Sequence, residues 1–150
     1  MSAALDIADQ IATRLATAPA PGELATVLDI THCAILVDRQ KNIVSDIAKA
    51  VGKAGGSAIT ILWQGFTTVE KNTGRPRLAQ RYNITVWSKP IMAGADMAAD
   101  DVMESIITRL WRWVPGGGHC FAAADVARGG LIPDAKYLVY DCDITVPTSL

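Results

Sequence analysis

The segment Ser57–Ser88, SAITILWQGFTTVEKNTGRPRLAQRYNITVWS, decides the fold. Two apolar stretches, Ser57 to Val69 and Leu78 to Ser88, flank the polar and mostly basic loop Glu70 to Arg77. On the first stretch Ile59, Ile61 and Trp63 share one face. On the second, Tyr82, Ile84 and Val86 alternate with Arg81, Asn83, Thr85 and Trp87. A period of two on both sides of a polar loop is the pattern of paired antiparallel strands, so the segment predicts a long β-hairpin. Four of the fourteen Lys and Arg residues (Lys71, Arg75, Arg77 and Arg81) gather at or near its tip. Such a tip suits a protruding arm that docks onto a partner or lines a pore, with Arg supplying multidentate contacts. A solvated loop of the same composition is equally common.

Working outward, Ala3 to Ala18 repeats Ile7, Ile11 and Leu15 at helical spacing, and Pro19 with Pro21 and Gly22 ends it. Leu24 to Val37 is apolar but poorly periodic, and a loop or a short strand describes it equally well. Asn42 to Lys53 sets Ile43, Ile47 and Val51 four apart ahead of Gly55 and Gly56, which predicts a second helix. After Pro90 and a connection through Ala93, Gly94 and Ala95, Asp100 and Asp101 mark a helix N-terminus. Met103, Ile106, Ile107, Leu110, Trp111 and Val114 form its apolar stripe. Arg109 and Arg112 complement the C-terminal dipole, and Pro115 to Gly118 terminate the helix. Trp111 falls on the stripe and Trp113 beside it, so Trp113 is the tryptophan expected at a subunit contact or under a loop.

Further on, His119 to Val126 reads as a strand and Ala127 to Gly130 as a turn. Tyr137 to Val146 reads as a strand with Leu138, Tyr140, Cys142, Ile144 and Val146 inward and Asp141, Asp143 and Thr145 outward. The whole predicts an α+β domain of 150 residues, with one antiparallel or mixed sheet, helices on one face and a protruding hairpin.

Composition narrows the function classes. A net charge of -1 argues against a dedicated nucleic-acid binder, which ordinarily carries a clear basic excess. Apolar residues at 50% against 19% charged leave room for apolar surface reserved for neighbours. No apolar run approaches the roughly 18 residues of a membrane span and the N-terminus lacks a signal-peptide pattern, so cytoplasmic synthesis and residence are expected. Cys33, Cys120 and Cys142 are an odd set with no CxxC pair and are expected to be reduced thiols.

The chemistry-bearing residues are few. Pro115 to His119 is glycine-rich, but it follows a helix instead of leading into one, and no Lys comes after it, so a helix stop explains it better than a phosphate cradle. His32-Cys33 and His119-Cys120 could together offer four ligands to zinc or a Cys nucleophile with a His base. Neighbouring strand residues point to opposite faces, however, and each pair would need a bent backbone to converge. A free cysteine is more commonly a small buried apolar residue. Asp141 and Asp143 share a face, as a pair of acids or a metal clamp requires, though a solvated face accounts for them as well.

The layout resembles the tail-terminator or tail-completion proteins of tailed bacteriophages. The likeness rests on the strand Ala58 to Trp63, the polar loop, the strand from Arg77 to Val86, the helix end Ile107 to Trp113 and the closing strand Lys136 to Ile144. It spans about Val37 to Val146 and is one of pattern, with no signature residue. It implies a homo-oligomeric ring, typically a hexamer, that caps the tail tube, fixes tail length and presents a surface to the head connector. It also implies a place in the neck of the virion, no catalysis and no cofactor. The residues expected at the interface are Lys71, Arg75, Arg77, Arg81 and Trp113. The competing expectation is a small cytoplasmic α+β enzyme or ligand-binding domain using His32, Cys33, His119 and Cys120.

Overall fold

The computed structural model describes residues 2–19, 21, 30, 33–37, 43–53, 57–70, 74, 76–88, 99–118, 120, 123–132 and 137–149. In chain order the elements are α1 (Ala3–Ala16), β1 (Ala34–Val37), α2 (Ile43–Lys53), β2 (Ser57–Glu70), β3 (Arg77–Ser88), α3 (Ala99–Leu110), β4 (Asp125–Ile132) and β5 (Leu138–Ser149). The five strands form one mixed sheet in the order β1-β2-β3-β5-β4. β1 runs parallel to β2, and every other pairing is antiparallel. The α+β class and the long hairpin are as the sequence predicts.

The main core lies on one face of the sheet. There Ile7, Ile11 and Leu15 of α1 and Val102, Ile106 and Leu110 of α3 pack on Ile59, Ile61, Tyr82, Ile84, Val86, Cys142, Ile144 and Val146. These are the alternate positions singled out in the sequence, because a strand sends successive side chains to opposite faces. Tyr82 is fully buried at the centre, and its hydroxyl donates to the Ala4 carbonyl at 2.7 Å, fastening the first turn of α1 to the middle strand.

The expectation that all helices share one face is corrected. Ile47 and Val51 of α2 join Ala58, with Ala34, Leu36, Trp87 and Tyr137 packed around them, on the opposite side. The reason is topological. Parallel strands joined in sequence need a crossover, and α2 is that crossover between β1 and β2. With α1 already over Ile35 and Val37, the free face at β1 is the one that Ala34 and Leu36 line. The ambiguous stretch before Val37 thus ends in a strand.

Two further expectations change. α3 stops at Leu110, ahead of the Pro115 to Gly118 stop, and Arg112 adopts a left-handed φ of 56°. The helical phase is lost there, so Trp111 and Val114 leave the core stripe and are exposed. Ala127 to Gly130, expected as a turn, lies inside β4; of the strand expected over His119 to Val126, Asp125 and Val126 open β4 and Cys120 forms an isolated bridge with Thr148, while His119, Phe121 and Ala122 lie outside the described residues. Gly129 is needed at its place in β4, since a Cβ there would sit 2.8 Å from the Asp141 carbonyl oxygen. Gly129→Ala is expected to cost about 1–3 kcal/mol through displaced backbone. A urea melt with an unchanged slope and a lower midpoint is the check.

Candidate protein interface

The hairpin is the feature that the fold presents outward. β2 and β3 stay paired from Ser57 with Ser88 to Glu70 with Arg77, and β5 accompanies β3 all the way to Ser149. β1 pairs only as far as Ile61, and β4 ends level with Thr145, Arg81 and Gly65. Beyond β1 and β4 the sheet continues as a three-stranded tongue of β2, β3 and β5, bridged at Thr148 by Cys120, which is stiffer than a lone hairpin. Gly65 lies at a register shift in β2 with a φ of 100°, a conformation that side-chain-bearing residues rarely adopt.

Exposed apolar side chains crowd the outer strand of this tongue. Leu62, Trp63, Phe66 and Val69 are all exposed, Phe66 at 54% of its surface. Trp63 lies opposite Tyr82 on the face covered by α1 and α3, and its indole N–H donates to Gln80 Oε1 at 2.9 Å. Phe66 lies on the same face, level with Gln80, while Leu62 is level with Asn83 on the face of α2. A second exposed pair, Leu131 and Ile132, ends β4 at the other edge of the sheet.

The sequence-expected interface residues divide. Arg81 is exposed beside Gly65 on the tongue, and Arg77 is half-buried at the start of β3. Lys71 and Arg75 lie outside the described residues. Trp113 is half-buried against the core, with the Arg14 guanidinium 5.7 Å from its ring centre, and its carbonyl accepts from Ala124 N. Of the two tryptophans after α3, Trp111, half of it exposed, is the one offered to solvent. Leu62, Trp63, Phe66, Val69, Leu131 and Ile132 were not singled out as surface from sequence. Their signal was adjacent apolar residues, Leu62 with Trp63 and Leu131 with Ile132, which place apolar groups on both faces of one strand.

The alternative chemistry fares differently. Cys33 is buried in the core, and Cys120 is half-buried with its thiol pushed upward by burial and then by the Asp6 carboxylate. An activated thiol is shifted the other way. His32 and His119 lie outside the described residues. Asp141 and Asp143 are brought together on the face of α2, where Asn83 Nδ2 donates to both, at 2.9 and 3.1 Å. Thr85 in turn donates to Asn83 Oδ1 at 2.6 Å. Among the described residues no three His, Cys, Asp or Glu side chains converge as metal ligands, and no described helix is long and apolar enough to cross a membrane. No family model matches the chain, and no curated protein matches it in sequence.

Burial has a consequence for alkaline stability. The Cys142 thiol is pushed up to about 12, first by burial and then by the flanking Asp141 and Asp143 carboxylates. Tyr82 is raised as well, by burial first. The folded chain holds these protons after the unfolded chain has released them, so stability is full below about pH 9 and falls as pH rises toward 12. Each group adds a slope of about 1.4 kcal/mol per pH unit within its own window. Cys142→Ala is expected to remove one such share between pH 9 and 12, read from urea midpoints across that range. An unchanged pH profile would assign the loss to other groups.

Proposed function

We propose that this protein is a structural assembly subunit that forms a ring of its own copies, as the tail-terminator or tail-completion proteins of tailed phages do. In this reading the ring caps the tail tube and offers its other side to the head connector, within the virion neck. The tube protein, the connector proteins and further copies of the chain are the partners. The observation that carries the reading is the row of exposed large apolar side chains on the projecting tongue, Leu62, Trp63, Phe66 and Val69. Leaving these in water has a free-energy cost that burial against a neighbour removes, at about 25 cal/mol per Å². Exposed Arg81, beside Gly65 on the same tongue, supplies a polar neighbour of the kind found at the rim of protein–protein interfaces.

The experiment is a double substitution at the tip, Arg75→Ala with Arg77→Ala. Arg77 is half-buried at the start of β3, and surface ion pairs add little to stability, so the urea midpoint should stay within about 1 kcal/mol of the parent in free energy. Association, followed by the concentration dependence of the solution mass, should weaken several-fold. Parental association by the double variant would remove the tip from the interface.

A further inference from the structure

Among the described residues the sheet has two open edges, and they complement each other. Among the described residues nothing pairs with the outer side of β2 beyond Ile61, where β1 ends, or with the outer side of β4. Both stretches leave, among the described residues, a row of backbone donors and acceptors without strand partners, which is a template for another strand. We propose that β4 of one copy pairs antiparallel with Leu62–Glu70 of β2 in the next copy, extending one sheet from subunit to subunit. This rests on the assembly reading above and specifies its contact.

Direction, length and side-chain pattern all agree with the pairing. Across the order β2-β3-β5-β4 every pairing is antiparallel, so β4 runs opposite to β2. A neighbour placed edge to edge in the same orientation therefore meets β2 with an antiparallel strand. The eight residues of β4 match the open half of the fourteen-residue β2. Starting where β1 stops, Ile132 comes beside Leu62 on the face of α2. Leu131 then comes beside Trp63 on the opposite face. All four side chains are exposed in the single chain, and the pairing buries two apolar cross-strand pairs at once. Gly129 and Gly130 follow, at the level of Gly65 and Phe66, where side chains on both strands would crowd the ring of Phe66.

The contact is heterologous, because β4 of one copy uses a different surface from β2 of the next. Such contacts close into rings when the rotation per step permits. β1 forces each new strand to start beyond Ile61, so neighbours are offset along the strand direction. The sheet then tilts from subunit to subunit, as strands do in closed barrels.

The test uses two variants with one added cysteine each on a Cys120→Ser background, Leu62→Cys and Ile132→Cys. Cys33 and Cys142 are buried and stay out of reach of the oxidant. Directly opposed residues on antiparallel strands stand at Cβ distances that a disulfide can bridge. Mixing the two variants under mild oxidation should give a dimer joining position 62 to position 132, identified by peptide mapping. Each variant alone should give at least tenfold less cross-linked dimer. Efficient homodimers of either variant would show an isologous contact and overturn the edge pairing. A ring-sized mass with no 62-to-132 bond would also overturn it while leaving the ring reading intact. A chain that stays monomeric by mass at every concentration would overturn both.

Discussion

Replacing Arg109 with Met should lower stability by about 2–4 kcal/mol, the largest loss expected from any single polar side chain described above. Arg109 is only 3% exposed, and its Nη2 donates to the carbonyls of Arg14 and Thr17, both at 2.8 Å. These carbonyls belong to the C-terminal end of α1, where the last turn of a helix has no intrahelical donors. Arg14 returns the arrangement: its Nε donates to the Arg109 carbonyl at 3.0 Å, near the end of α3. Each helix is thus capped by a cation from the other, and each cation also lies at the negative end of a helix dipole. Methionine keeps most of the apolar stem and removes both bonds, leaving the Arg14 carbonyl only the 3.4 Å bond from Thr17 N and the Thr17 carbonyl to solvent, with charge-assisted bonds of this kind contributing about 1.5–3 kcal/mol. In a domain of this size the melting midpoint should fall by roughly 5–15 °C. Arg109→Lys should lie between the two, since lysine retains the charge without the planar fork. The measurement belongs at low protein concentration, where association does not add to stability. A shift below about 1 °C for Arg109→Met would show that the paired caps contribute little.

The second large effect is on assembly. Phe66→Glu places a charge on the open edge of β2, and Leu131→Glu places one on the open edge of β4; each side chain is more than half exposed, so both variants should fold as the parent does. A carboxylate buried in the contact without a partner costs several kcal/mol, enough to reduce association by a factor of a thousand or more. Each variant alone should be monomeric at concentrations where the parent associates. Mixed together they should form a dimer and nothing larger. The Phe66→Glu chain retains a good β4 edge, the Leu131→Glu chain retains a good β2 edge, and the product has only the two spoiled edges left. An isologous contact through either patch predicts a different outcome, since one variant would then associate unaided. Equilibrium sedimentation of the three samples separates the cases.

Much of this architecture is legible in the sequence where a single period governs a segment. Ile59, Ile61, Tyr82, Ile84, Val86 and the even residues of β5 face the core because strand alternation leaves no other choice. The helical spacing of Ile7, Ile11 and Leu15 is equally plain. Legibility fails where long-range geometry overrides the local pattern. Ala34–Val37 is four residues long, half-buried on both sides, and is a strand because β2 offers it a parallel partner. That same pairing sends α2 to the opposite face. Trp111 fits the α3 stripe by counting, but the helix ends one residue earlier and the count no longer applies. Gly129 and Gly130 look like a turn because glycine so often makes one; in β4 the Asp141 carbonyl leaves no room for a side chain at Gly129.

The candidate interface was half legible. The basic tip stands out by composition, and Arg81 is exposed on the tongue as expected. The apolar row beside it was absorbed into the core by parity: Trp63 continues the series of Ile59 and Ile61, yet it lies beyond the cover of the helices and is exposed. Strand parity assigns a face, whereas burial depends on what lies over that face, and the extent of α1 cannot be read from β2. Trp113 shows the converse, a residue beyond its helix that turns back onto the core and stacks with Arg14.

If this chain joins copies of itself, the mass of the unmodified protein in solution will show it. Across a concentration series into the high micromolar range, light scattering should show association to a closed species, with a plateau at a small integer multiple of 16.0 kDa, six in the phage-tail reading. A mass that stays at 16.0 kDa throughout would contradict the account.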